Sequence, residues 1–288
     1  MLVQTDRLYP YFQTSTETQL PTPNSSMSNQ YIPMSTQPLL SAQGLCKTFG
    51  GVKAVQQAGI EVAAGSITGL IGPNGAGKTT FFNLLSNFIR ADSGQIELNG
   101  EKIHHLQSHQ IARLGMVRTF QVAKALSRMS VLENMLLGAR DRAGEKIWEV
   151  LLQPKLVQAQ QRELKDKAMS ILESVGLSAK ANDYAGGLSG GQRKLLEIGR
   201  ALMADPKLFL LDEPAAGVNP RLIEDICGHI LNWRKEGLTF LIIEHNMDVI
   251  MTLCDRVWVL AEGTNLVDGT PTKVQNDPRV IEAYLGID

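Results

Sequence analysis

The residues best suited to chemistry begin as a glycine-rich run that ends in lysine and threonine. In order, they are Gly72, Pro73, Asn74, Gly75, Ala76, Gly77, Lys78 and Thr79. The run matches G-x-x-x-x-G-K-S/T, with the apolar stretch Ile67–Ile71 before it and the helical stretch Thr80–Leu85 after it. Glycines let the backbone curl so that consecutive N–H groups point inward at phosphate oxygens, and Lys78 adds a full positive charge. The run therefore predicts a loop that cradles the phosphates of a nucleotide.

Two carboxylates follow a second apolar run. Asp212 and Glu213 come directly after Leu208–Leu211. Four consecutive apolar residues are typical of a strand buried on both faces, and ligands of open α/β sheets bind at the carboxyl ends of such strands. We expect Asp212 to hold Mg²⁺ and Glu213 to orient or deprotonate a water molecule. A helix N-cap is the competing interpretation of an isolated Asp-Glu pair, and the complete phosphate loop upstream argues against it.

The elements that must position these residues alternate between short apolar runs and helical patterns from Leu39 onward. This alternation is typical of a parallel sheet wrapped by helices. The predicted strands are Ser66–Ile71, Gln95–Leu98, Met116–Thr119, Lys207–Leu211, Thr239–Ile243 and Arg256–Leu260. Between Val131 and Gly176 the pattern is largely helical, and we interpret this block as a helical subdomain inserted into the α/β core.

Composition narrows the classes of function. The chain has 288 residues and a formal net charge of -1, so it lacks the basic excess of a nucleic-acid surface and we expect no nucleic-acid partner. Cys46, Cys227 and Cys254 are too far apart in sequence for a zinc motif, and they fit a reducing compartment. The longest unbroken apolar run, Val257–Ala261, is much shorter than the roughly 20 residues of a spanning helix. We expect a cytosolic protein unless a partner holds it at a membrane.

Residues 1–38 differ in composition from the rest of the chain. Of these 38 residues, 23 are Ser, Thr, Gln, Asn or Pro. Such a segment cannot bury enough apolar surface to offset the entropy lost on ordering, so we expect a disordered, low-complexity tail. Translation that starts at Met27 or Met34 is an alternative, and the intact mass of the native protein would test it.

One further segment resembles a family signature. Leu188-Ser189-Gly190-Gly191-Gln192, at the start of the helical run Arg193–Met203, is similar to the signature sequence of ATP-binding-cassette (ABC) ATPases. Phe49, Gln121 and His245 also occur where that family places an aromatic residue, the Q-loop glutamine and the switch histidine. The resemblance extends from about Leu39 to the C-terminus.

This resemblance implies a fold, a substrate and a cofactor. The fold is α/β, a P-loop NTPase core with a parallel central sheet, an antiparallel β subdomain and an inserted α-helical subdomain. The expected limits are 39–288 for the ATP-binding domain and about 122–190 for the helical subdomain. The substrate is ATP and the metal is Mg²⁺.

The resemblance also assigns roles to single residues. Phe49 would stack on adenine, Lys78 and Thr80 would hold phosphates, and Thr79, Asp212 and Gln121 would hold the metal or its water shell. Glu213 would be the base, His245 would contact the γ-phosphate, and Gln121 would also carry the signal to a permease. Ser189, Gly190, Gly191 and Gln192 would face the γ-phosphate bound by a partner subunit, so that two nucleotides join a head-to-tail pair. Asn219 stands where the family often has aspartate in its communicating loop, so that role is carried over only weakly.

Within the family, three stretches resemble the subunits that power uptake of hydrophobic and branched-chain amino acids. They are Val117-Arg118-Thr119-Phe120-Gln121, Glu244-His245-Asn246-Met247-Asp248 and Tyr284-Leu285-Gly286. This implies integral-membrane permeases, a second and related ATPase chain, and indirectly a solute-binding protein. It also implies a peripheral position on the cytoplasmic face of the inner membrane. Urea uptake and lipopolysaccharide export are alternatives.

Other classes fit the sequence less well. Translation factors of this family usually carry two cassettes in one chain, and repair ATPases separate the halves with long coiled coils. This chain has one phosphate loop, one signature and no sustained heptads. A nucleotide-binding scaffold without hydrolysis would be expected to lack Glu213 or His245, and both are present.

Overall fold

The computed structural model describes residues 37–119, 125–140 and 154–285. The predictions for residues 1–36, for Gln121 and for the middle of the inserted block (141–153) lie outside the described residues, as does Gly286.

The strands and helices alternate as the sequence predicts. In chain order the strands are β1 (Leu40–Phe49), β2 (Val52–Val62), β3 (Ile67–Ile71), β4 (Ser93–Leu98), β5 (Glu101–Lys102), β6 (Met116–Arg118), β7 (Leu208–Asp212), β8 (Thr239–Ile243), β9 (Arg256–Ala261) and β10 (Thr264–Gly269). The helices are α1 (Lys78–Leu85), α2 (Ser108–Leu114), α3 (Val131–Leu136), α4 (Pro154–Ser174), α5 (Gly190–Leu202), α6 (Pro220–Lys235), α7 (Met247–Leu253), α8 (Pro271–Gln275) and α9 (Pro278–Leu285).

Two sheets form the frame. The smaller is antiparallel, in the order β2-β1-β4-β5, and the larger has the order β10-β9-β3-β8-β7-β6. In the larger sheet β6, β7, β8, β3 and β9 run parallel, and β10 pairs antiparallel with β9. This arrangement confirms the predicted α/β class, with a parallel central sheet and a separate antiparallel sheet. The carboxyl ends of β3, β8 and β7 therefore meet at one edge, where the candidate site residues follow them.

The central strands are buried on both faces because successive side chains enter different cores. Phe209 and Leu211 of β7 belong to one hydrophobic cluster with α5 and α6. Leu208 and Leu210 belong to a second cluster with α1 and the antiparallel sheet. Each fully buried side chain of this kind contributes about 1.5–3 kcal/mol. This two-sided burial explains the unbroken apolar runs in the sequence.

The helical part contains α3, α4 and α5, which contact one another. α3 begins with a capping box in which Ser130 and Glu133 satisfy each other's backbone N–H groups. In α5, a Cβ on Gly199 would lie 3.2 Å from the Met135 sulfur and 3.3 Å from Ile171, so glycine permits this close approach. The limits 39–288 and 122–190 of the two predicted units stay predictions.

The strand predictions differ from the structure mainly at the edges. β1, β2, β5 and β10 were not among the predicted strands. β1 contains Gly44, with φ 62°, and register shifts occur both between β1 and β2 and between β9 and β10. Their alternation is therefore too irregular to show as a period of two. Among the described residues, no helix combines the length and apolar character needed to span a bilayer.

Candidate functional site

The glycine-rich run connects β3 to α1, and its conformation depends on glycine. Gly77 is the N-cap of α1, with φ 90° and no side chain that caps the helix. A Cβ at Gly77 would lie 2.3 Å from the Ala54 carbonyl oxygen, and one at Gly72 would lie 2.0 Å from the Leu260 carbonyl oxygen. The first N–H groups of α1 are therefore left for an external acceptor, and the helix dipole favours an anion there.

Lys78 supplies the charge of this loop. Its side chain is buried, and Nζ donates hydrogen bonds to the carbonyl oxygens of Gly72, at 2.7 Å, and Pro73, at 2.9 Å. Burial lowers the pKa of Lys78, and the nearby charge of Glu213 acts in the opposite direction. An ammonium group that is partly desolvated and bonded only to neutral carbonyls is well prepared to receive a phosphate.

A cavity of about 570 Å³ opens over this loop. Its lining contains Asn74, Gly75, Ala76, Gly77, Lys78, Thr79, Thr80, Glu213 and His245. The volume is in the range of small-molecule sites. The structure thus brings most of the predicted phosphate-loop residues together with the predicted base and the predicted histidine sensor.

Glu213 and His245 contact each other at the edge of the cavity. The distance from His245 Nε2 to Glu213 Oε1 is 2.8 Å. Glu213 has a left-handed backbone, φ 48°, which is rare for a residue with a Cβ. Its N–H donates to the Ile243 carbonyl oxygen at 3.0 Å, so the turn after β7 is held by the end of β8. Such strain is common where a side chain must be aimed at a reacting group.

Asp212 is buried and is paired with an arginine that the sequence predictions gave no role. Arg118 Nη2 lies 2.8 Å from Asp212 Oδ2, and both side chains are largely buried. Arg118 Nη1 also donates to Asn83 Oδ1 at 2.6 Å, and the guanidinium lies 4.8 Å from the centre of the Phe82 ring. Arg118 therefore ties β6, α1 and the end of β7 together. The sequence signal for this pair was an arginine in β6, the strand next to β7, which ends at Asp212.

The signature residues lie apart from this cavity. Ser189 is the N-cap of α5, and it forms a capping box with Gln192, with distances of 3.0 and 3.2 Å. Ser189 and Gly190 are exposed, and none of the four signature residues lines the cavity. A Cβ on Gly191 would lie 1.9 Å from a Leu222 methyl group, so a larger residue there would require the Leu222 side chain to move.

Besides the signature residues, the predicted site residues Phe49, Gly72, Pro73 and Asp212 do not line the cavity. Phe49 is half exposed at the tip of the β1–β2 hairpin, and it is the partner residue Val52 that lines the cavity. Gly72 and Pro73 contribute through their carbonyl groups to Lys78. Gln121 lies outside the described residues.

The sequence predictions missed a second wall of the cavity. Glu262 and Gly263, the turn between β9 and β10, line it together with Val52, Lys53, Ala54 and Gln56. The Gly263 N–H donates to the Ala76 carbonyl oxygen at 3.1 Å, and the Gln56 N–H donates to the Gly263 carbonyl oxygen at 2.7 Å. A two-residue Glu-Gly turn between apolar strands was a recognisable hairpin signal.

The C-terminal helix also reaches the phosphate loop. Burial raises the pKa of Tyr284 to about 12, opposed by a hydrogen bond from the backbone N–H of Gly72. The Tyr284 hydroxyl therefore interacts with the first residue of the loop, while the residue as a whole is 37% exposed.

Comparisons with known proteins agree with this geometry. Residues 55–216 match the ABC transporter family. The chain belongs to the ABC transporter family. Residues 265–288 of this ABC ATPase match a family described as branched-chain amino acid ATP-binding cassette transporter.

Full-length relatives support the assignment. A protein of Archaeoglobus fulgidus described as a probable branched-chain amino acid transport ATP-binding protein, LivG, is 43% identical over 86% of this chain and 95% of its own. The LivG protein of Escherichia coli K12, described as high-affinity, is 41% identical over 87% of this chain and 99% of its own.

A solved nucleotide-free cassette from an ABC transporter has a TM-score of 0.76 and 38% identity. The match between the two structures covers 87% of this chain and 100% of the length of the solved cassette. A second cassette, solved in its ADP conformation, has a TM-score of 0.76 and 37% identity, covering 88% of this chain and 100% of its own. This ABC ATPase therefore binds and hydrolyses ATP as a transporter subunit, and membrane permeases are its partners.

Proposed function

We propose that this chain energises the import of amino acids, branched-chain or other neutral ones, through separate permease subunits. The match of residues 265–288 to the branched-chain family carries the proposal. The LivG relatives, described as branched-chain amino acid transport proteins, support it over most of the chain.

The roles of the site residues are part of the proposal. Lys78, Thr80 and the loop amides hold the phosphates, and Phe49 stacks on adenine from the hairpin tip. Glu213 takes the proton of the attacking water, and His245, which contacts Glu213 at 2.8 Å, holds the γ-phosphate. Gln121 links the water and metal shell to the permease.

Mg²⁺ fits the donors that the chain offers. The Thr79 hydroxyl and the Asp212 carboxylate are oxygen ligands of the kind that Mg²⁺ prefers. Arg118 holds Oδ2 of Asp212, so Oδ1 is the oxygen that would face the cation or its water. When bound, the ion neutralises charge on the β and γ phosphates.

The second nucleotide contact comes from a partner cassette. Ser189, Gly190, Gly191 and Gln192 complete the γ-phosphate site of the other subunit, and Asn219 is at most a weak contributor to communication between the sites. We propose a related second chain as that partner, and a solute-binding protein that delivers the amino acid outside. The ATPase sits on the cytoplasmic face of the inner membrane, because there it meets both ATP and the permeases.

Reconstitution tests the proposal. The chain, its co-purifying permeases and the second cassette are placed in proteoliposomes with ATP and Mg²⁺ inside and the solute-binding protein outside, and uptake of labelled leucine, valine and urea is compared. We expect uptake of leucine and valine that stops with EDTA inside, and stops with Glu213→Gln, which retains ATP binding. Transport of urea alone, or outward movement of lipid, would contradict amino acid import. Co-purification of two differently tagged copies of this chain in one complex would contradict the heteromer.

A further inference from the structure

Glu244, the first residue after β8, is buried and has no role in the mechanism above. Its side chain is 3% exposed. Oε1 accepts a hydrogen bond from the Ala215 N–H at 2.7 Å, and Oε2 accepts from the N–H groups of His245, at 3.0 Å, and Asn246, at 3.3 Å. Among the residues described, Glu244 has no salt bridge to a cationic side chain. The buried carboxyl group of Glu244 accepts hydrogen bonds from three backbone amides.

These amides belong to two different segments. Ala215 lies two residues beyond Glu213, after β7, and His245 lies directly after Glu244. The same two segments are joined by the Glu213–His245 side-chain contact and by the hydrogen bond from the Glu213 N–H to Ile243. The Glu244 side chain therefore forms a third connection between the segment after β7 and the segment after β8. Of the three, it is the one that contacts a residue beyond Glu213, namely Ala215.

Capping of the next helix does not explain Glu244. Asn246 already caps α7, since its side-chain oxygen accepts from the N–H groups of Asp248, at 2.9 Å, and Val249, at 3.4 Å. The turn at Glu213, with φ 48°, instead needs neighbours that hold it in a conformation it would not adopt alone.

We propose that Glu244 is a positioning residue that locks Glu213 and His245 into one unit by holding the Ala215 and His245 amides across the ends of β7 and β8. The inference rests on the proposed roles of Glu213 and His245.

Glu244→Gln tests this inference, because the amide keeps the shape but replaces one acceptor oxygen with an NH₂ group that cannot accept. We expect kcat for ATP hydrolysis by the assembled transporter to fall about 10- to 100-fold, with KM for ATP within twofold of wild type. Asp255→Asn is the matched control, because the Asp255 carboxylate accepts from the Ile67 N–H at the other end of β3 and pairs with Arg234. We expect that variant to lower Tm and leave kcat unchanged.

A mutant cycle with His245→Ala shows whether Glu244 acts through the histidine. In single-turnover phosphate release, the double variant should be within twofold of His245→Ala alone, because residues that act as a unit are not additive. The inference would be overturned if the fold-losses in rate of the two single variants multiplied in the double variant. Wild-type kcat in Glu244→Gln would also overturn it. If Glu244→Gln does not fold, Glu244→Thr, whose hydroxyl can serve one segment only, is measured in the same way.

Glu213→Gln separates the two hypotheses. If that variant hydrolyses ATP at the wild-type rate, the proposed role of Glu213 fails. If it is inactive and Glu244→Gln is fully active, only the role of Glu244 fails.

Discussion

Two of the described helix N-termini, those of α1 and α5, are the ones that we propose as anion sites, and they are built differently. α1 begins at Gly77, which has no side chain to cap the helix, and a buried Lys78 stands beside the cavity. α5 begins at Ser189, whose hydroxyl is engaged in a capping box with Gln192 and whose surroundings are exposed. The uncapped terminus thus lines a cavity formed by residues of one chain. The capped one is stable without a ligand.

The difference in capping indicates that the α1 and α5 termini have different roles. An uncapped helix terminus leaves several N–H groups unsatisfied until a ligand arrives, so it favours tight binding. A serine that accepts one hydrogen bond still has its own O–H to donate. The α5 terminus is therefore folded without a ligand and keeps a donor for the phosphate that we propose a partner subunit presents. The predictions below act on one terminus and leave the other intact.

Lys78→Ala should have the largest effect. Loss of a charged contact to the β and γ phosphates is expected to lower ATP affinity by about 300-fold, since each charge-assisted hydrogen bond contributes about 1.5–3 kcal/mol. Binding of a fluorescent ATP analogue measures this, with Lys102→Ala on the exposed strand β5 as the control. Unchanged affinity would mean that the α1 terminus alone suffices.

Ser189→Arg should act on turnover only. The bulky cation fills the α5 terminus, so hydrolysis by the assembled transporter should fall about 100-fold, the size of effect seen when a preorganised donor to a developing charge is removed. Nucleotide binding and Tm of the isolated chain should stay at the wild-type level. Ser174→Arg, at the exposed end of α4, is the control. Full activity in Ser189→Arg would remove the shared site.

Gly77→Ala and Gly190→Ala compare the backbones of the two termini. The Gly77 Cβ would clash with Ala54 at a φ of 90°, so the free energy of unfolding should fall by about 2 kcal/mol. A Cβ at Gly190 meets no atom within 4 Å, so Gly190→Ala should change that energy by less than about 0.5 kcal/mol. Urea denaturation measures both, and equal losses would contradict the contrast.

Tyr284→Phe should have the smallest effect. It removes the hydroxyl that interacts with the Gly72 backbone, which should lower the free energy of unfolding by less than about 1 kcal/mol because the residue is 37% exposed. Tyr184→Phe is the control, because Tyr184 is 70% exposed. Equal Tm values for the two variants would show that α9 does not support the loop.

Local pattern was enough to predict the central strands and the phosphate loop. β8 begins and ends at the predicted residues, and β7 differs by one residue at each end, because their apolar runs reflect burial in two cores. The signature helix was predicted to start at Arg193, and it starts at Gly190, because the Ser189 cap brings both glycines into the first turn.

Long-range pairs were not predictable in this way. Arg118 and Asp212 are 94 residues apart in sequence, and Glu244 and Ala215 are 29 apart. Their contacts depend on which strands are neighbours, and no period of a single segment carries that information. The turn at Glu262 and Gly263 has a local hairpin signal, but its contact with Ala76 was unpredictable for the same reason, since it exists only after β9 has paired with β3.

The strand register of β8 fixes the distances between Glu213, His245 and the phosphate loop. Leu211 lies opposite Ile242, and Ile243 lies opposite both Asp212 and Leu70. A slip by one residue would move the end of β8 by about 3.3 Å and exchange the faces of all its side chains. Phe240 and Ile242 would then enter the core that Leu241 and Ile243 now fill. The spacing between Glu213, His245 and the phosphate loop therefore depends on the hydrophobic residues of β8, which never touch the nucleotide.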